Sequence, residues 1–78
     1  MSNKLQIKRN ESGLSQSKLS TAANVSLMTL RKYERGSLDI NGARLATLLK
    51  LCLALDCHLN DIIDDPETLE LLEKYGSK

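Results

Sequence analysis

Aromatic residues make up only 3% of this 78-residue chain, with two Tyr and neither Trp nor Phe. A core must therefore come from Leu, Ile, Val and Ala. Pro occurs once and Gly four times, which disfavours a turn-rich all-β fold and suits a helical domain. At this length the chain makes one compact domain, and such a domain buries only about 60% of its unfolded surface. No uninterrupted apolar run is long enough to span a bilayer, because Lys50 breaks the longest hydrophobic stretch. The first residues carry no apolar secretion signal, so a cytoplasmic setting is expected.

Reactive chemistry is equally sparse. There is one His, no Gly-rich phosphate loop and no nucleophile paired with a base, so catalysis is not expected. Cys52, Cys57 and His58 could be imagined around a metal, but they lack the paired spacing of a zinc site. Two reduced thiols in an apolar stretch are the better reading, and no metal or other cofactor is expected.

What the chain does have is charge divided by region. Residues 1–55 hold nine Lys/Arg against three acids, and residues 56–78 hold two Lys against seven acids. A basic body with an acidic tail suggests one surface that faces a polyanion and another that points away. The expected division is a body over residues 1–65 and an acidic, candidate helical tail over 66–78.

Helix signals follow one another closely. Lys4 to Glu11 reads as a first helix stopped at Gly13. Ser15 is the candidate N-cap of a second through Ala23, with Leu19 and Ala23 one turn apart on its inner face. Asn24 tolerates the left-handed conformation of a tight turn. Ser26 is the next N-cap candidate, with Val25 and Leu30 placed as a hydrophobic staple. The third helix runs from residue 27 to 35, with Leu30 and Tyr33 inward and Glu34 at the edge, and ends at Gly36. Asn41 is the expected cap of a fourth helix whose core stripe is Leu45, Leu48, Cys52 and Leu55. Beside it Leu49 and Leu53 form a second stripe, more apolar surface than one small core needs. A short fifth helix is expected from Leu59 to Ile63, and ETLELLEKY is a candidate sixth with Leu69, Leu72 and Tyr75 on one side.

Two short helices joined by a three- to four-residue turn are the helix-turn-helix signature. SQSKLSTAANVSLMTLRKYERG, followed by LATLLKLCLALDCHLNDII, resembles the phage repressor/Cro-like (XRE-type) helix-turn-helix family over roughly residues 5–63. The likeness rests on Ser15-Gln16, Leu19, Val25-Ser26, Leu30, Glu34 and Gly36, with the leucine-rich fourth helix at the right distance. The chain departs from the family pattern at Ser20 (usually Ala), Asn24 (usually Gly) and Lys8 (usually apolar). After Gly36, where relatives often carry Lys or Arg, it has Asp39 and only later Arg44.

The resemblance implies an all-α, compact five-helix bacterial or phage DNA-binding domain that inserts helix 27–35 into the major groove, usually as a homodimer on a two-fold site. It implies a phosphate contact for Gln16. Ser26, Leu27, Met28, Thr29 and Lys32 fall where relatives reach base edges or the adjoining backbone. Arg31 and Arg35 share the exposed side, and Arg44 is the remaining phosphate candidate. The plain alternative for the three cations of the third helix is a solvated face. Leu27 and Met28 fit contact with thymine methyl groups, a recognised mode of base readout; an exposed apolar pair also suits a protein partner. Leu49 and Leu53 are the candidate dimer interface, with the tail helix as a competing cover. Two functions thus stand side by side: a transcriptional regulator, in all expectation a repressor, on operator-type double-stranded DNA, or an antitoxin-like adaptor whose main partner is another protein such as a toxin.

Overall fold

The computed structural model describes residues 3–78. Five α-helices follow in order: α1 (Lys4–Glu11), α2 (Gln16–Ala23), α3 (Leu27–Arg35), α4 (Leu45–Leu55) and α5 (Pro66–Gly76). Two single 3-10 turns, Ile40–Gly42 and Leu59–Asp61, connect the later helices, and no strand occurs among the described residues.

Local capping sets the early helices. Asn3 accepts from the Gln6 N–H at the start of α1, and Ser15 accepts from the Lys18 N–H at the start of α2. Asn24 closes α2 in the left-handed conformation (φ 55°), the task the family gives to glycine. Ser20 answers its own departure: its hydroxyl donates to the Val25 carbonyl, while the Val25 N–H donates back to the Ser20 carbonyl. Gly36 ends α3 at φ 82°, where a Cβ would be strained.

Leu5, Leu19, Leu30, Leu51, Ile62 and Ile63 are the largest fully buried side chains. They bring α1 to α4 and the Leu59–Asp61 turn around one centre, with α2 wedged against both α3 and α4. Lys4 ties the first helix to the far end of the fold, its Nζ donating to the Asn60 and Ile63 carbonyls at 2.6 Å each.

Four local expectations change. Asn41 does not cap α4; that position is Arg44, which makes no side-chain cap bond. Asn41 instead sits in the 3-10 turn, where its Nδ2 donates to Asp39 and Asp64 and its Oδ1 accepts from the Asp64 and Asp65 N–H groups. Leu45 lies outside the core at 61% exposure, because it falls on the same every-fourth row as Leu49 and Leu53; Leu51 takes the inward place. The expected fifth helix over 59–63 is a single 3-10 turn, closed by reciprocal bonds between His58 and Asp61. The fifth α-helix of the bundle is the tail segment, with Pro66 at its first position and Asp65 as its cap.

Candidate nucleic-acid interface

α3 is oriented by a charged pair inside the protein. Arg9 falls one turn after Leu5 on α1, and Glu34 falls four residues after Leu30 on α3, so each occupies a core register. Arg9 Nε and Nη2 donate to the two Glu34 oxygens at 2.7 and 2.9 Å, and Nη1 donates to the Leu14 carbonyl at 2.8 Å. The residues are 8% and 4% exposed, and the hydrogen bond to Glu34 raises the Arg9 pKa, which favours the charged guanidinium. Bidentate geometry fixes distance and angle together, which a lone leucine contact does not. Asn3 adds a bond from its Nδ2 to the Tyr33 carbonyl at 2.7 Å. Glu34, expected at the helix edge, is buried, and it is joined there by Arg9, a residue outside the helix-turn-helix motif. The pair's detectable signal is an opposite charge at a core register on each of two helices.

The network extends to the surface. Gln16, half-buried at the first position of α2, donates from Nε2 to Glu34 Oε1 at 3.2 Å. Its amide is thus held against the last turn of α3 rather than swinging free.

With Leu30 and Glu34 inward, the spacing of α3 separates the remaining side chains. Leu27 stands three residues before Leu30 and seven before Glu34, so it flanks the inner stripe and is half-buried. Met28, Arg31, Lys32 and Arg35 recur at the spacing of a single outward face; Met28 is 66% exposed, Arg31 and Arg35 are exposed, and Lys32 is half-exposed. The expected pairing of Leu27 with Met28 on one outward patch therefore divides, with Met28 outermost. Ser26 is exposed at the cap position of α3, and its hydroxyl makes no cap bond. Thr29 is half-buried on the flank, and Arg44 is exposed at the head of α4.

Ion pairing leaves this face charged. The three ion pairs among the described residues are Lys8–Glu11, Arg9–Glu34 and Lys74–Glu70, so Arg31, Lys32, Arg35 and Arg44 engage no carboxylate. Asp39, the acid in the following loop, accepts from the Asn41 backbone and side chain, which turns its carboxylate to the 3-10 turn.

A helix-turn-helix family model of the XRE type matches residues 5–62. The chain belongs to this helix-turn-helix family. It therefore carries a DNA-binding regulatory domain, a class not normally enzymatic. No curated protein and no solved structure matches the chain.

Among the described residues, no group of three or more His, Cys, Asp or Glu is placed to hold a metal, Cys52 with Cys57 and His58 included. Burial, with Cys57 beside it, pushes the Cys52 thiol up to about 12, and burial also raises Cys57, so both are protonated at neutral pH. No helix of the described residues is long and apolar enough to cross a membrane.

Proposed function

We propose that residues 1–65 form a sequence-specific DNA-binding regulator, acting as a repressor, with α3 in the major groove and the 66–78 tail turned away from the duplex. The observation that carries the reading is the outward face of α3: an exposed Met28 with Arg31, Lys32 and Arg35, none in an ion pair, on a helix whose orientation a buried Arg9–Glu34 pair fixes. Met28 supplies an apolar tip for a thymine methyl group, and Leu27 reaches the same groove wall from the flank. Arg31, Lys32 and Arg35 meet base edges or phosphates, with Ser26 and Thr29 beside them. Gln16, steadied by Glu34, donates an amide hydrogen to a phosphate, and Arg44 neutralises another; such contacts set register and orientation. Two copies on a two-fold site would place their α3 helices about 34 Å apart.

Selection of bound duplexes from a random pool tests this. An enriched, two-fold symmetric motif is expected. Equal binding to all duplexes would reject sequence-specific regulation.

A second reading, an antitoxin-like adaptor whose main partner is a different protein, draws on the apolar surface away from α3, where Leu53 is 83% and Tyr75 74% exposed. Recovery of a stoichiometric foreign protein with the chain from its native host would favour it.

A further inference from the structure

α4 ends in a turn that brings two particular side chains together. Asp56 is left-handed at φ 52°, its N–H donates to the Leu53 carbonyl, and the Cys57 N–H reaches back to the Cys52 carbonyl at 3.0 Å. That pair of bonds is the Schellman closure, in which the residue just past the turn often packs, as an apolar contact, against the one five before it. Here both positions are cysteine, and both thiols are free. Cys52 is buried at 6% exposure and Cys57 is half-buried. The two line an open groove of about 930 Å³ between α4 and α5.

We propose that Cys52 and Cys57 form a dithiol site that takes a small uncharged disulfide and closes an intramolecular disulfide bond across the end of α4. Two cysteines whose Cα atoms lie more than about 7 Å apart cannot be bridged. The backbone bond of 3.0 Å between Cys57 and Cys52 holds their Cα atoms within that limit, since each lies only one or two covalent bonds from the bonded atoms. The side chains meet as well, for the Cys52 thiol donates toward the Cys57 sulfur.

Exposure and charge set the order of events. Burial raises the Cys57 thiol, and Asp61 and Asp56 add to the rise, but the Cys52 thiol and the charge of Lys8 oppose it. Cys52 is the more deeply held and stands higher, at about 12. Cys57 therefore gives its proton to solvent first and attacks one sulfur of the incoming disulfide, R–S–S–R. A mixed disulfide forms on Cys57, and one RS⁻ leaves and is protonated by solvent. Cys52 Sγ then attacks Cys57 Sγ, and its proton passes to the second departing thiolate. Two protein thiols and one small disulfide thus become one protein disulfide and two RSH, so electrons and protons balance. The second step joins groups already in contact, which favours closure over capture of the mixed species. The groove selects what enters. Leu49, Leu53, Leu69 and Leu72 make its walls apolar, and nearby Glu73, Asp56 and Asp61 outnumber Lys8 and His58, which disfavours an anionic disulfide.

Mass spectrometry of the folded, reduced chain after exposure to excess hydroxyethyl disulfide, at mildly alkaline pH, tests the proposal. The expected product is a single chain lighter by two hydrogen atoms, with no attached hydroxyethylthio group and no thiol left to titrate. Helical circular dichroism should be unchanged. Cys52→Ala should instead retain one hydroxyethylthio group, on Cys57. Cys57→Ala should react at least about tenfold more slowly than Cys52→Ala, because its remaining thiol is buried. Oxidised glutathione, which is anionic, should close the wild-type bond several-fold more slowly than the neutral reagent. A wild type that retains attached groups, a covalent dimer between chains, or thiols that stay unreacted until helicity is lost would each overturn the proposal. Equal rates for the two alanine variants would overturn the assignment of Cys57 as the attacking thiol, and equal rates for the two reagents the choice of an uncharged disulfide.

Discussion

α3 and α5 are both short amphipathic helices that carry apolar side chains beside charge on their outer faces, but the body holds them differently. α3 buries Leu30 completely, and its Glu34 is clasped inside by Arg9. α5 buries no residue fully; it rests on Leu69 and Leu72 and is tethered at its start, where Asp65 caps the Thr68 N–H and Asn41 binds the Asp64 and Asp65 N–H groups. A helix that reads base edges needs its angle set to a fraction of a turn, and a bidentate buried pair does that. α5 lacks any such pair and is fixed by hydrogen bonds at one end only.

The largest expected effect breaks α3 away from its support. Glu34→Ala leaves Arg9 charged and buried without its partner, a change that typically costs about 3–5 kcal/mol. At roughly 4–8 °C per kcal/mol for a domain of this size, the melting temperature should fall by well over ten degrees. Leu72→Ala on half-buried α5 should cost about 1–2 kcal/mol, less than a full core truncation. Parallel thermal melts decide it: equal losses at the two sites would remove the contrast between a clamped and a tethered helix.

Next in size is the cation face of α3. Lys32→Ala or Arg31→Ala should lower DNA affinity about tenfold, and where the lost contact is to a phosphate the slope of log affinity against log salt should fall by about one. The matching change on α5, Lys74→Ala, should leave the salt slope unaltered, because Lys74 pairs with Glu70 of its own helix. Titrations at three salt concentrations separate the two helices by function, and a slope that responds to Lys74 instead of Lys32 would reverse the assignment.

Met28→Ala should have a smaller effect, about 1 kcal/mol of preference at one A·T position, in line with the loss of a methyl-sized apolar contact. The salt slope should stay put. Leu27→Ala should relax preference less, because Leu27 shares the inner stripe and is half-buried while Met28 is the outermost apolar residue of the face. Site selection with each variant ranks them; identical motifs from both variants and the wild type would reject thymine readout.

How much of this was legible in the residues follows from how local each determinant is. Ser15, Asn24 and Gly36 act within a few residues of themselves, and both ends of α2 and the end of α3 could be read from them. Asn41 was misread because its partners, Asp64 and Asp65, lie more than twenty residues away and outbid the local capping role. Leu45 was misplaced because spacings of three and four allow two neighbouring rows, and only packing shows that Leu51 faces in. The outward cations of α3 followed from spacing once Leu30 was taken as inward. The Arg9–Glu34 clamp leaves a charge at a core register on each of two helices, but the two residues are 25 apart and no spacing pairs them. Leu49 and Leu53 stand out in the sequence as surplus apolar residues, but their exposure beside a docked α5 needed the fold.

The smallest effect concerns the tether of α5 and is set by pH. Bonds from the Thr68 hydroxyl and N–H hold the Asp65 carboxyl below its ordinary value of 3.8, and the His58 N–H does the same for Asp61. A carboxylate whose pKa is lower in the folded state contributes stability that is complete above the unfolded value and is lost as pH falls through the folded one. Below pH 3.8, therefore, wild-type stability should drop with two such groups titrating. Asp65→Asn keeps an effective cap and should melt close to wild type at neutral pH. It removes one of the two titrations, so its stability should decline less steeply on acidification. Melts followed by circular dichroism between pH 5 and the acid limit test this directly. Parallel acid curves for the two proteins would show that the Asp65 cap does not hold the start of α5, and the tether would then rest on Asn41 alone.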